Sequence, residues 1–166
     1  SATGSGFQSY RLQRGKGLNP TNWEQITPDE TEPVVNGQLG VWDTTDLNGL
    51  YTLQLLVMYR DQQVETAIVQ VIIDNLPPQV SVRYPLDNES FSSDEFKTIT
   101  FLVEATDDLD LASVAYFLDG ISIGSIASPP FVIPWEPISG KHTLLVRASD
   151  RAGNSSETQI NFTVEE

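Results

Sequence analysis

Acidic and amide side chains gather at three points in the sequence where apolar segments end. They are Asp74 and Asn75; Asp107, Asp108 and Asp110; and Asp150 with Asn154. Carboxylate and amide oxygens are ligands of calcium, which takes about six to eight of them. The spacing is not that of an EF-hand loop, and Asp and Asn are also ordinary turn residues. We therefore favour solvated turns and keep, as the alternative, a calcium site formed by Asp74, Asn75, Asp107, Asp108, Asp110 and Asp150.

Residues suited to acid–base or nucleophilic catalysis are scarce. His142 is the single histidine, and it lies at the start of a predicted strand, where we expect a surface position. No Gly-x-Ser-x-Gly elbow, phosphate-binding loop or His-Glu-x-x-His sequence occurs. The acidic residues fall on predicted turns, whereas carboxylate catalysis needs a pair held in a cleft. The sequence therefore predicts no catalytic residue and no enzyme activity in this chain.

Three tryptophans could bind a sugar, because a flat indole packs well against the apolar face of a pyranose. Trp42 and Trp135 each precede a glycine turn and a terminal hairpin, a repeated position that favours packing inside a domain. Trp23 lies between the polar residues Asn22 and Glu24. It is therefore the one candidate for a ligand-binding aromatic, although packing is the favoured role for it too.

The elements that must position these residues are strands. Apolar residues recur with period two, as in Tyr51, Leu53, Leu55 and Val57, and no apolar stripe with helical spacing extends over three turns. Predicted strands cover residues 7–14, 23–27, 38–42, 50–60 and 64–74, and then 79–84, 97–105, 112–118, 121–126, 131–135, 141–149 and 157–164. The chain is predicted to be all-β.

A boundary between two domains is predicted at Asp74-Asn75-Leu76-Pro77-Pro78. Two consecutive prolines cannot continue a ladder of hydrogen bonds, and they favour a stiff, extended backbone. An internal repeat supports the division, since each half carries a Trp, a glycine turn and a closing pair of strands. The predicted domains are residues 1–75 and 76–166.

Composition excludes several classes of function. The formal net charge is −14, which argues against binding to nucleic acid or to anionic membrane surfaces. There is no cysteine, so disulfides and thiolate metal sites are excluded. No apolar run approaches the roughly 20 residues of a membrane span, so we expect no membrane insertion by this segment.

Several motifs together resemble the tandem bacterial Ig-like domains of large exported proteins. In the second half these are Phe117-Leu118-Asp119-Gly120, Trp135, Gly140-Lys141-His142-Thr143-Leu144 and Asp150-Arg151-Ala152-Gly153-Asn154; in the first half, Trp42-Asp43-Thr44 and Gly49-Leu50-Tyr51-Thr52-Leu53. The resemblance implies two Ig-like or fibronectin-type-III-like antiparallel β-sandwiches in tandem. Similar pairs form the C-terminal modules of class A penicillin-binding proteins, which synthesise peptidoglycan, and also occur in secreted proteases.

The first residues depart from the pattern of such modules, which have a strand where this chain has Ser1-Ala2-Thr3-Gly4. A truncated first sandwich would have an open sheet edge, and unpaired edges recruit other strands. We therefore expect a weak dimer through an edge strand.

The leading hypothesis is a non-catalytic accessory or spacer module, whose main partner is the rest of its parent polypeptide. The location implied is the extracellular or periplasmic face of a bacterial envelope. The alternative is an adhesive module that binds cell-wall glycan or peptide, with Trp23 as its contact.

Overall fold

The computed structural model describes the whole chain, residues 1–166, and contains strands but no helix. The all-β prediction is therefore confirmed. No segment forms a helix that could cross a bilayer. By its internal contacts the chain divides into two compact units, Ser1–Asn75 and Leu76–Glu166.

The first unit is built on one antiparallel sheet. Its strands are β1 (Phe7–Lys16), β2 (Glu24–Gln25), β3 (Gly49–Tyr59) and β4 (Val64–Ile73), in the order β2-β1-β3-β4. Between β2 and β3 the chain crosses one face of the sheet without forming a strand, and two isolated bridges fasten it, Ala2 to Val34 and Tyr10 to Glu30. Its core is small, with Ala2, Tyr10 and Val57 buried.

The predicted strand at residues 38–42 is absent. The Tyr10 hydroxyl donates a hydrogen bond to the carbonyl of Leu39 at 2.9 Å, so a side chain, and not a neighbouring strand, binds this backbone group. Leu39 packs against the core, whereas Val41 is 74% exposed. The alternation of apolar residues was present, but no partner strand lies beside it.

The second unit is a two-sheet sandwich. Its strands are β5 (Gln79–Tyr84), β6 (Glu89–Ser92), β7 (Ile99–Thr106), β8 (Leu111–Leu118), β9 (Ile121–Ile126), β10 (Phe131–Trp135), β11 (Gly140–Asp150) and β12 (Ser155–Glu165). One sheet has the order β10-β7-β5 and the other β6-β12-β11-β8-β9. All pairs are antiparallel except β6 with β12.

Alternating apolar residues fill the space between these two sheets, as the period of two requires. Phe101 on β7, Leu144 and Val146 on β11 and Val114 on β8 are completely buried. Only β6 was not predicted, because Phe91 is its single large apolar residue. The turns between these strands hold the side chains of Asp107, Asp119 and Asp150 in fixed positions.

Candidate functional site

Asp150 organises the turn between β11 and β12. Its Oδ1 accepts hydrogen bonds from the backbone N–H groups of Gly153 and Asn154 at 2.7 and 2.8 Å, and its Oδ2 accepts one from the Asn154 side chain at 2.8 Å. Gly153 has φ of +102°, a conformation that disfavours other residues. Burial of Asp150 opposes ionisation, but these hydrogen bonds outweigh it and hold the pKa of the carboxyl below its usual range.

Asp107 holds the loop between β7 and β8 in the same way. Its Oδ2 accepts hydrogen bonds from the backbone N–H groups of Leu109 and Asp110 at 3.0 and 2.9 Å. Its Oδ1 is buried and has no hydrogen-bond partner. Asp110 forms an ion pair with Arg151 at 2.7 Å, and Asp108 is exposed.

The two turns bring carboxylate oxygens of Asp107 and Asp150 within 4.8 Å of each other. Beside Asp107 lies a shallow depression, also lined by Leu76, Pro77, Gln79, Thr106 and Asp108. A cation could bridge the two carboxylates, but both Asp150 oxygens already accept hydrogen bonds and only Oδ1 of Asp107 lacks one. Within the second unit this donor set falls short of the roughly six oxygens that calcium prefers.

The remaining two candidates for metal binding belong to the first unit. Asp74 is half-buried and follows β4 directly. Asn75 donates two hydrogen bonds from its side-chain nitrogen, to the carbonyls of Thr44 and Leu47 at 2.6 and 2.8 Å. Because its amide fastens the preceding loop to the end of β4, Asn75 has a structural role in its own unit.

His142 is not a surface residue, and this part of the sequence prediction was wrong. Its side chain is only 9% exposed, and its ring packs against Trp135 and Phe162, with centroid distances of 4.9 and 5.4 Å. Nδ1 lies 2.8 Å from Oδ2 of Asp119, and Nε2 lies 2.7 Å from the carbonyl oxygen of Ile138. Both partners are acceptors, so each ring nitrogen that carries a proton has an acceptor held in place by the fold.

Asp119 is the residue that the sequence analysis missed. It lies with Gly120 in a two-residue hairpin turn between β8 and β9, with φ of +51° and +81°. Its Oδ1 accepts a hydrogen bond from the Thr143 backbone N–H at 2.8 Å. Partial burial favours the neutral acid, but the His142 ring and this N–H outweigh that effect and lower the pKa of Asp119. The Asp-Gly pair signalled the turn, but no sequence signal showed that His142 was its partner.

The tryptophans occupy three different environments. Trp135 packs against the second core and stacks on Phe101, with centroids 5.8 Å apart. Trp42 contacts Tyr51 edge-on, with ring centroids 5.4 Å apart, and the Arg14 guanidinium lies over its ring. It is not part of the small core of the first unit. Trp23 is half-buried just before β2. Trp23 therefore has room to offer part of its indole to a ligand.

Comparison with known proteins supports the fold. Residues 78–146 match the family model described as bacterial Ig domain. Among solved structures, the fibronectin(III)-like modules of CbhA from Clostridium thermocellum are 17% identical, with a TM-score of 0.50 over 98% of this chain and 82% of theirs. No curated protein sequence matches the chain.

Two further similar structures have lower scores. Murine CEACAM1b is 13% identical, with a TM-score of 0.45 over 99% of this chain and 89% of that one. A bacterial ice-binding adhesin is 16% identical, with a TM-score of 0.42 over 98% of this chain and 55% of that one. The family match and the CbhA modules confirm the predicted tandem Ig-like or fibronectin-type-III-like fold. Strands form both facing sheets in the second unit and one sheet in the first.

Proposed function

We propose that this chain is a non-catalytic accessory module, a spacer within a larger bacterial extracytoplasmic protein. The observation that carries the proposal is the environment of His142, the chain's single histidine. Both of its ring nitrogens contact acceptors within the fold, and its ring is packed between aromatic side chains. A histidine bound in this way stabilises a hairpin and is not available to transfer protons to a substrate.

The acidic side chains support the same conclusion. Asp107, Asp119 and Asp150 each accept backbone hydrogen bonds that fix a turn. Arg83 with Glu104 and Arg147 with Glu157 form cross-strand ion pairs on the surface. The groups that could perform chemistry therefore hold the loops and strands of the sandwich in place.

The parent that we propose is a penicillin-binding protein of the kind that synthesises peptidoglycan, with this module in its C-terminal part at the outer face of the membrane. The motifs around Asp119, Trp135 and Asp150 support this choice, as does the match to a bacterial Ig domain. In this setting the module's partner is the rest of the parent polypeptide.

Deletion of residues 1–166 from the parent protein tests the proposal. We expect the purified, folded parent to keep its turnover rate on a small soluble substrate and to lose activity only on intact cell wall. Loss of turnover on the soluble substrate, with the catalytic domain still folded, would contradict a non-catalytic role.

A second candidate function is binding of cell-wall glycan or peptide, which the half-buried indole of Trp23 favours. Cosedimentation of the chain with purified sacculi distinguishes the two functions. Binding that Trp23→Ala abolishes, with an unchanged circular dichroism spectrum, would establish an adhesive module. We expect no sedimentation of the wild-type chain if it is a spacer alone.

A further inference from the structure

The last strand of the first unit has an unprotected edge. β4 is the outermost strand of its sheet, and its pairing with β3 runs from Val64 to Ile73 without a register shift. The strand contains neither lysine nor proline, two of the devices with which proteins block such edges. A long, regular and unblocked edge presents a row of backbone hydrogen-bonding groups to any strand that can align with it.

Both faces of β4 carry exposed apolar residues. Val64, Ile68 and Ile72 lie on one face and are 55%, 60% and 68% exposed. Val69, on the opposite face, is 55% exposed. Such exposure on both faces of a strand is unusual in a free surface, and a neighbouring strand of similar composition would cover part of each face.

The hairpin of β3 and β4 determines which backbone groups of β4 point away from β3, toward the free edge of the sheet. The Tyr59 N–H donates to the Gln63 carbonyl at 3.0 Å, so Tyr59 and Gln63 form a hydrogen-bonded pair. Because such pairs alternate along an antiparallel ladder, odd-numbered residues of β4 direct their N–H and C=O groups toward β3. The outward groups therefore belong to the even-numbered residues, Val64, Thr66, Ile68, Gln70 and Ile72.

We propose that β4 pairs with β4 of a second copy of this chain, in antiparallel orientation about a two-fold axis at Ile68. In this register all outward groups face one another, since Val64 lies opposite Ile72, Thr66 opposite Gln70, and Ile68 opposite its own copy. Among these even-numbered residues, apolar residues meet apolar residues, and polar residues meet polar ones. This near-palindrome in polarity is the self-complementarity that a two-fold interface requires.

The charge on β4 itself permits this pairing. Glu65 is the single charged residue of β4, and in the proposed register it lies opposite Val71. The two Glu65 side chains of the dimer are then six residues apart along the ladder, or about 20 Å. That distance is about two and a half times the Debye length at physiological salt, so their repulsion is largely screened.

The sheet edges of the second unit differ from β4. β6 has four residues, β10 contains Pro134, and register shifts interrupt the pairing of β5 and β9 with their neighbours. Each of these features blunts an edge. Self-association is therefore assigned to β4 and not to the second unit.

Sedimentation equilibrium of the chain tests the pairing. We expect a reversible monomer–dimer equilibrium that Ile68→Lys weakens at least about tenfold, since a charge is placed on the symmetry axis opposite its own copy. Ile121→Lys on β9 is the matched control, because Ile121 is also an exposed isoleucine on an edge strand, at 70%. A chain that stays monomeric at millimolar concentration, or equal weakening by both variants, would overturn the proposal.

Cysteine crosslinking tests the register, since the chain has no native cysteine. In the proposed dimer the Ile68 Cα atoms are about 5.5 Å apart, within the range of about 4.4–6.8 Å that a disulfide spans. We expect Ile68→Cys to form a covalent dimer under mild oxidation. Gln70→Cys, whose copies would lie roughly 14 Å apart, should not do so.

A mixture of Thr66→Cys and Gln70→Cys chains provides the positive counterpart, because these positions lie opposite each other in the dimer. We expect this mixture to crosslink as mixed dimers. Equal crosslinking of Ile68→Cys and Gln70→Cys would show random collision and refute the register. Ordered pairing with the strand of a different protein, and none between copies, would refute the choice of partner.

Discussion

The Nδ1 atom of His142 lies 2.8 Å from Oδ2 of Asp119, although the two residues are 23 positions apart in the chain. This contact joins the β8–β9 turn to the start of β11. Asp119 also accepts a hydrogen bond from the backbone N–H of Thr143, next to His142. One carboxylate thereby holds two strands in register.

Replacing this carboxylate should destabilise the second unit. We expect Asp119→Ala to lower the free energy of unfolding by about 1–2 kcal/mol, because it removes two hydrogen bonds and leaves the His142 ring without its acceptor. Urea denaturation measures the change. Asp94→Ala is the control, since Asp94 is an exposed residue between β6 and β7. An equal loss in both variants would contradict the role of Asp119.

Replacing Tyr116, in contrast, should stabilise the second unit. Its side chain is completely buried and its hydroxyl has no hydrogen-bond partner, and burial raises the pKa of Tyr116 to about 12. We expect Tyr116→Phe to raise the free energy of unfolding by about 1 kcal/mol, since it removes an unsatisfied polar atom with little change of shape. A lower midpoint of thermal unfolding for Tyr116→Phe would show that the hydroxyl has a partner in solution.

Asp150 should make the second unit sensitive to acid. Its pKa in the folded chain is lower than its ordinary value of 3.8, because the hydrogen bonds from Asn154 and Gly153 outweigh the effect of burial. The corresponding stabilisation is complete above this ordinary value and is lost as the pH falls through the lower, folded pKa.

We therefore expect the midpoint temperature of unfolding of the wild-type chain to decrease when the pH is lowered below about 4. Asp150→Asn should be less stable at neutral pH and should lose less stability on acidification. Asp119 contributes in the same direction, since its pKa is also lowered. Parallel pH profiles for wild type and Asp150→Asn would contradict this assignment.

Asp107 and Asp150 allow the calcium hypothesis to be tested. Their carboxylate oxygens lie within 4.8 Å, and Oδ1 of Asp107 has no hydrogen-bond partner. In a calcium-free buffer, we expect Asp107→Asn to stabilise the chain by on the order of 1 kcal/mol, because one of two neighbouring like charges is removed.

Calcium titration followed by thermal unfolding then separates the two interpretations of these acidic turns. If they are turns without a bound metal, which we favour, millimolar calcium leaves the midpoints of wild type and Asp107→Asn unchanged. A rise in the wild-type midpoint that is absent from Asp107→Asn would establish a metal site.

The sequence by itself determined the fold class and most strands of the second unit. A period of two in apolar residues, with Gly, Pro and Asn between the segments, has few structural solutions other than strands and turns. The turns at Asp119-Gly120 and at Asp150-Arg151-Ala152-Gly153-Asn154 could also be predicted, because their backbone conformations favour those residue types.

Tertiary structure alone decided which residues met. Residues 38–42 alternate like a strand, but a strand needs a partner, and the Tyr10 hydroxyl binds Leu39 instead. His142 was expected at the surface, yet Trp135 and Phe162 bury it beside Asp119. Periodicity reports which face of a segment is apolar, whereas burial and pairing depend on elements distant in sequence. The apolar edge of β4 is open for the same reason: its composition was visible in the sequence, but only the sheet order left it without a neighbour.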